Sequence, residues 1–287
     1  MPVYNGERYV REALDALLAQ TYHAFELVIS DNGSTDGTTE ICREYAARDP
    51  RIRYHRLEEN RGAAWNFNNA FALARGAYFK WAAYDDLCAP TCLERCVEAL
   101  DTAPPSVVLV YPKTRFIGER GEVLRDYEDE LDLREALPHA RLRHLLRRLS
   151  YANASFGLVR AEVLARTSLF GSYPSSDYVL LAELALLGQF WELPERLFLR
   201  REHPRTSRRA HPSGGEAAAW FDPVRRSTRV FEAWRVLREL VAAVARADLD
   251  RAEKARALAV CIPGWVSRNE RRLTREALSL LVPVRWR

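Results

Sequence analysis

The chain has 287 residues, 48% of them hydrophobic and 29% charged, a size and balance that predict an ordinary globular protein with one large domain or two small ones. Its formal net charge of +4 excludes a molecule-wide attraction to nucleic acid, and no apolar run approaches the roughly 20 residues that span a bilayer. The opening Met-Pro-Val-Tyr-Asn-Gly-Glu-Arg lacks the basic-then-apolar layout of a secretory leader, so a cytoplasmic location is expected.

Residues 7–20 carry Val10, Ala13, Leu14, Leu17 and Leu18 at helical spacing. Residues 25–30 read as a strand ending at Asp31. The turn that follows, Asn32-Gly-Ser-Thr-Asp-Gly, is rich in helix-starting residues and precedes a helix over 38–48. A strand over 52–57, a helix over 63–74 and an aromatic strand over 78–84 come next. Strands and helices alternating through short connections predict an α/β fold with a mainly parallel sheet covered on both faces. Such a sheet needs a strand ahead of Pro2, and only Met1 precedes it, so the first strand is expected to be cut short.

A helix over 93–100 and an apolar strand over 106–112 lead into a polar stretch, 116–138. That stretch reads either as a mobile surface excursion or as a lid over an acceptor site. Helices over 142–149 and 161–166, a strand over 156–160, a helix from Ser176 to Gly188 and closing strands over 190–193 and 197–201 complete the pattern. Beyond Gly214-Gly215 the chain is helical and rich in arginine, with Trp220, Phe231, Trp234 and Leu237 marking apolar faces. The expected plan is one domain over 1–210 and a helical extension over 211–287.

Five cysteines form no disulfide framework. Cys88, Cys92 and Cys96 recur every four residues and read as buried, inert thiols on one helix face. The adjacent carboxylates of Asp85 and Asp86 are more pointed. They follow the aromatic strand, and ligands in open α/β sheets gather beyond the carboxyl ends of strands. A divalent cation that also holds substrate phosphates needs only one or two such carboxylates. The alternative is a solvated turn ahead of the helix beyond Pro90.

Pro2-Val-Tyr-Asn-Gly-Glu, Ser30-Asp-Asn-Gly-Ser-Thr-Asp-Gly-Thr, Asn60-Arg-Gly, Ala74-Arg-Gly and Tyr84-Asp-Asp, in this order and spacing, resemble the family 2 nucleotide-sugar glycosyltransferases of GT-A fold. The likeness covers residues 2–90 and runs on more loosely to about Ser207. It implies that Pro2, Tyr4 and Glu7 position the nucleotide base, that Asp31 accepts a hydrogen bond from a base N–H, and that Arg61 contacts the nucleotide. Asp31 serves equally well as a cap for the helix over 38–48, and Arg61 as a surface arginine.

Many relatives carry Asp-X-Asp-Asp where this chain has Ala83-Tyr-Asp-Asp, so the first carboxylate is absent. In branches that keep only the final pair, Asp86 would ligate Mn²⁺ or Mg²⁺ and Asp85 would hold the ribose or assist the ion. Asp177 stands where the family places its general base, though an Asp at a helix start is also an N-cap. His203 resembles a late histidine that approaches the metal or diphosphate, with Arg201 or Arg205 neutralising phosphate.

The resemblance implies a metal-dependent, inverting transferase. It would move a sugar from a nucleotide diphosphate, UDP by family habit, to a glycan, lipid-linked or small-molecule acceptor, in cell-surface polysaccharide or glycoconjugate synthesis. A nucleotide-sugar-binding module without turnover and a sugar nucleotidyltransferase are the competing readings, the latter weakened by Gly6-Glu7-Arg8, a poor phosphate loop. The basic C-terminal helices read as a solvated face or as a peripheral contact at the inner face of a membrane.

Overall fold

The computed structural model describes residues 1–206, 210, 213–223 and 231–279. Ser207, the far end of the resemblance, lies outside them. The chain opens with β1 (Pro2–Val3), α1 (Val10–Leu18), β2 (Leu27–Asp31), α2 (Thr38–Arg48), β3 (Ile52–Arg56) and α3 (Ala63–Ala72). The three strands form a parallel sheet in the order β1-β2-β3, with Pro2 opposite Ser30 and Leu27 opposite Ile52. Every residue of β2 is buried, as expected of a strand covered on both faces. Helix α1 forms because Val10, Ala13, Leu14 and Leu17 recur on one face and bury there.

Only two residues of β1 pair with β2. The Met1 amine donates to the Val28 carbonyl at 2.6 Å. Beyond it, a cavity of about 630 Å³ lined by Met1, Leu27, Val28, Tyr78 and Phe79 lies between this sheet and the next.

The second sheet is built from β4 (Tyr78–Phe79), β5 (Leu87–Cys88), β6 (Val107–Ile117), β7 (Val123–Tyr127), β8 (Leu158–Arg160) and β9 (Gln189–Arg201). Its order is β4-β8-β6-β9-β5, with β7 hung on β6. Here β6 and β9 run parallel while the other pairings are antiparallel, so the parallel pattern belongs to the first sheet and the β6–β9 pair. Helices α4 (Cys92–Thr102), α5 (Pro138–Arg148), α6 (Ala161–Leu164) and α7 (Ser176–Leu187), and a 3₁₀ turn at Asn153–Phe156, fill the connections.

Three expectations change. The strand over 78–84 shrinks to Tyr78–Phe79, because Trp81 turns into the core against Phe79 and Phe170, ring centroids 4.9 Å away in each case. The two closing strands are one. Pro194, which has no N–H for the ladder, is absorbed where the register jumps from Pro112–Leu193 to Lys113–Arg196. The polar stretch over 116–138 is no loose excursion. It carries the β6–β7 hairpin and then buries Leu131 and Leu133 completely.

Among the described residues after 210 stand α8 (Gly214–Phe221), α9 (Glu232–Arg246) and α10 (Arg251–Leu278). Val236 and Leu240 of α9 and Cys261 and Trp265 of α10 share one core with Leu142 and Leu145 of α5 and Leu180 and Leu184 of α7. The C-terminal helices α9 and α10 are therefore packed into the same hydrophobic mass as the second sheet. No helix among the described residues is long and apolar enough to cross a membrane. Cys88, Cys92 and Cys96 are buried. Hydrogen bonding to Cys92 and loss of solvent push the Cys88 thiol well above its usual range.

Candidate functional site

The ends of β1 and β2, the segment before β5 and the end of β9 converge on a cavity of about 170 Å³. Pro2, Tyr4, Asn32, Asn66, Asp85, Asp86, Arg200, Arg205 and Trp220 all line it. Its two walls are built differently.

The first wall is neutral. Asn66, 3% exposed in the middle of α3, donates to the Val3 carbonyl at 3.2 Å and accepts the Ser30 hydroxyl at 2.6 Å. Asn69, a turn later, donates to the same hydroxyl at 2.8 Å. Asn32 donates to Asn60 Oδ1 at 2.8 Å and to the Gly62 carbonyl at 3.2 Å, while its own Oδ1 accepts the Arg61 backbone N–H at 3.0 Å. The Asn60-Arg-Gly turn is thereby clamped to the end of β2. Gly62 has φ of +88°, and a Cβ there would stand 2.4 Å from the Phe221 carbonyl, so only glycine lets α8 lie against the start of α3. That approach brings Trp220 to the rim.

The second wall is charged. Asp86 Oδ1 accepts the Arg201 backbone N–H at 2.8 Å. Loss of solvent, then the neighbouring Asp85 carboxylate, push the Asp86 pKa up to about 7, with Arg200 opposing. His203, 2% exposed, accepts the Arg205 backbone N–H at Nδ1 (3.2 Å), which leaves the proton on Nε2 to be donated to Asp85 Oδ2 at 2.9 Å. Both ring nitrogens are thus engaged, and the histidine orients Asp85.

Arg201 also lines the cavity, but its side chain is fully buried and consumed by structure. It donates to the carbonyls of Asp85 (2.9 Å), Gly118 (3.2 Å) and Glu119 (2.9 Å) and pairs with Glu12 at 2.6 Å. That leaves Arg200 and Arg205 as the arginines placed to meet an anion.

Pro2, Tyr4, Asp85 and Asp86 are therefore brought together on the cavity wall, with His203 directly behind Asp85. The other candidates sit elsewhere. Glu7 accepts the Gly37 N–H at 2.8 Å and ties the loop after β1 to the start of α2. Asp31 is fully buried and accepts from the Ser34 N–H (2.8 Å), Thr39 Oγ1 (3.0 Å) and Tyr54 OH (2.6 Å). The Arg61 guanidinium lies 4.3 Å over the Trp65 ring on the surface. Asp177 is in the first turn of α7, off this wall, with its Oδ1 accepting the Tyr178 N–H at 3.0 Å.

Sequence reading missed Arg200, Asn32, Asn66 and Trp220. One signal was present: asparagine is a poor interior helix residue, and Asn66, Asn68 and Asn69 crowd one helix.

Paired carboxylates and arginines at strand ends, facing a neutral shelf made by the first βα units, define a GT-A-type α/β protein. The sequence pattern of glycosyl transferase family 2 matches residues 1–166, and the chain belongs to that family. It is similar to an uncharacterized glycosyltransferase of Rickettsia felis, 37% identical over 127 residues, covering 44% of this chain and 20% of the relative. An uncharacterized protein of Mycobacterium tuberculosis is 33% identical over 207 residues, covering 70% of this chain and 57% of that one.

Among solved structures, S. aureus TarS 1-349 in complex with UDP-GlcNAc superposes with a TM-score of 0.69 at 20% identity, over 99% of this chain and 75% of that one. A mannosyltransferase from Pyrobaculum calidifontis in complex with GDP-Man and Mn²⁺ gives 0.55 at 19% identity, over 96% and 82%. At these identities the likeness establishes the fold.

Proposed function

We propose that the protein transfers a sugar from a nucleoside diphosphate donor, UDP-linked in the first instance, to an acceptor hydroxyl with inversion. The observation that carries this is the pairing of Asp85 and Asp86 with Arg200 and Arg205 on one wall of the cavity. Opposed charges of that kind suit a diphosphate leaving group and a cation shared with it. TarS and the Pyrobaculum enzyme, which were solved with UDP-GlcNAc and with GDP-Man and Mn²⁺, lend support.

The donor set fits Mn²⁺ or Mg²⁺. Two crowded carboxylates, one pushed up to about 7 by burial and by its neighbour, lack the positive charge that a cation would supply. Among the described residues no cluster of three His, Cys, Asp or Glu side chains forms a cage. Asp86, with Asp85 held by His203, would hold such an ion together with the phosphates, which suits a metal that keeps several non-protein ligands. When bound, it offsets charge on the departing diphosphate.

The protein's own residues do the rest. Arg200 and Arg205 face the diphosphate, and the neutral shelf of Asn32 and Asn66 fixes the backbone beside Pro2 and Tyr4. The acceptor oxygen bonds to the anomeric carbon as the carbon–oxygen bond to the diphosphate breaks, and the acceptor proton passes to Asp177. Helix α7, which carries Asp177, packs on the turn Asn153–Phe156, and Phe156 lines the cavity. Asp177→Asn is expected to cut transfer about 10²–10⁴-fold while leaving donor binding intact, measured by product formation and by calorimetry. Equal loss of both would remove that role.

Asp177 standing off the donor cavity favours a second reading, a binding module without turnover. Donor binding with neither transfer nor hydrolysis would select it. The first experiment is therefore a thermal-shift series with UDP, UDP-GlcNAc and GDP-mannose, with and without Mn²⁺. A rise in midpoint with one nucleotide diphosphate is expected, and none with any would overturn the donor reading.

The acceptor is a glycan, lipid-linked or small hydroxyl compound, and the reaction belongs on the cytoplasmic side, in cell-surface glycoconjugate synthesis. Arg143, Arg147 and Arg268 line a groove between α5 and α10 beside exposed Ile262 and Val266, which supports peripheral contact with an anionic membrane face. Co-sedimentation with phosphatidylserine vesicles and not with neutral ones is the check.

A further inference from the structure

A buried carboxylate stands one side chain behind the cavity. Asp129, between β7 and α5, is 3% exposed. Thr114 Oγ1 donates to its Oδ2 at 3.0 Å, and Asn153 Nδ2 donates to Oδ1 at 3.1 Å and to Oδ2 at 3.2 Å. The other end of the Asn153 amide, Oδ1, accepts Nη1 of Arg200. The amide has only one workable orientation. Flipped, it would set its N–H groups against a guanidinium and its carbonyl against a carboxylate. Arg200 lines the cavity beside Asp85 and Asp86, its guanidinium carbon 5.2 Å from the Tyr151 ring centre and 6.0 Å from that of Phe116.

We propose that Asp129 is a positioning residue that acts through Asn153 to hold the Arg200 guanidinium against the cavity wall, ready for the diphosphate of the donor. This rests on the donor reading above. The backbone of this segment does not depend on the carboxylate. The segment is already pinned by fully buried Leu131 and Leu133, by the Leu131 N–H on Tyr111 OH at 3.1 Å, and by the Phe190 N–H on the Leu133 carbonyl at 3.2 Å. Burying an acid there is costly. Loss of solvent pushes its pKa up to about 7, Glu192 on β9 adds repulsion, and Asn153, Thr114 and Arg200 only partly offset this. A long arginine beside Asp86 would otherwise swing between several acceptors. The relay removes that choice before the donor arrives.

The test is a mutant cycle of Asp129→Asn and Arg200→Ala, with Asn153→Ser as a second way to cut the relay while the Thr114–Asp129 bond stays. UDP affinity is read by calorimetry and donor kcat/KM by initial rates. Asp129→Asn and Asn153→Ser should each lower donor kcat/KM about tenfold with acceptor KM unchanged. In the Arg200→Ala background each should add less than about twofold. Effects that multiply, or single variants within about twofold of wild type, would overturn the proposal. If wild-type protein binds no nucleoside diphosphate, the donor reading falls and takes this one with it. If it binds and the variants are additive, this one alone falls.

Discussion

The two walls of the cavity do the same job, holding backbone and side chains at a ligand, by opposite means. On the β1–β3 side, asparagine amides and a serine hydroxyl satisfy one another and the backbone with no net charge. On the β5–β9 side, Asp85, Asp86, Arg200, Arg201 and His203 sit within reach of one another. A neutral network gives shape without a field. A charged one gives a field, at the cost of desolvation that each partner must offset. On the proposed reading, shape serves the base and sugar of the donor and field serves its phosphates.

Breaking the charged wall at the cavity surface should have the largest effect. Asp86→Asn is expected to lower turnover about 10²-fold or more with little change in melting temperature, followed by donor consumption and calorimetry. Breaking it at Arg201, behind the carboxylates, should do the reverse. Arg201→Met leaves one buried and two part-buried carbonyls without this donor, so stability should fall by about 3 kcal/mol in urea unfolding, whatever happens to activity.

The neutral wall should yield less. Asn66→Ala leaves the buried Ser30 hydroxyl without its acceptor and takes one of two donors from the Val3 carbonyl, a loss of about 1–3 kcal/mol, with donor KM rising more than kcat falls. A pH series separates the charged side from the neutral one. Between about pH 4 and about pH 7 the buried Asp129 holds a proton in the native state that the unfolded chain has released. Stability contributed by that site therefore falls as pH rises, by at most about 1.4 kcal/mol per unit, and Asp129→Asn should flatten the melting-temperature profile over that window. Asn66→Ala should leave the slope unchanged.

Local pattern carried much of this. The helix over 38–48 is α2 to the residue, because its N-terminal turn and its apolar spacing agree. Asp85 and Asp86 were legible as neighbours of a site from the aromatic run before them. What the chain did not disclose depended on partners far away in sequence. Trp81 left its strand because Phe170 offers a ring contact. Leu131 and Leu133 are buried inside a stretch whose composition is polar, since burial there is decided by contact with Tyr111 and β9. Arg200 and Arg201 look alike in sequence and both line the cavity, yet successive strand residues face opposite ways, so the Arg201 guanidinium is spent on carbonyls while that of Arg200 meets Asn153 and the Tyr151 ring. Trp220 reaches the rim only because Gly62, some 160 residues earlier, has no side chain to block the approach of α8.

That indole has a practical use. Of the seven tryptophans in the chain, Trp220 lines the cavity while Trp81 is 1% exposed in the core behind it. The cavity is also smaller than the roughly 300 Å³ at which ligand pockets usually begin, so on the proposed reading a donor would come up against its lining, the ring included. Intrinsic emission should therefore report occupancy without any label, and Trp220→Phe should silence the signal while leaving the light from the other indoles in place.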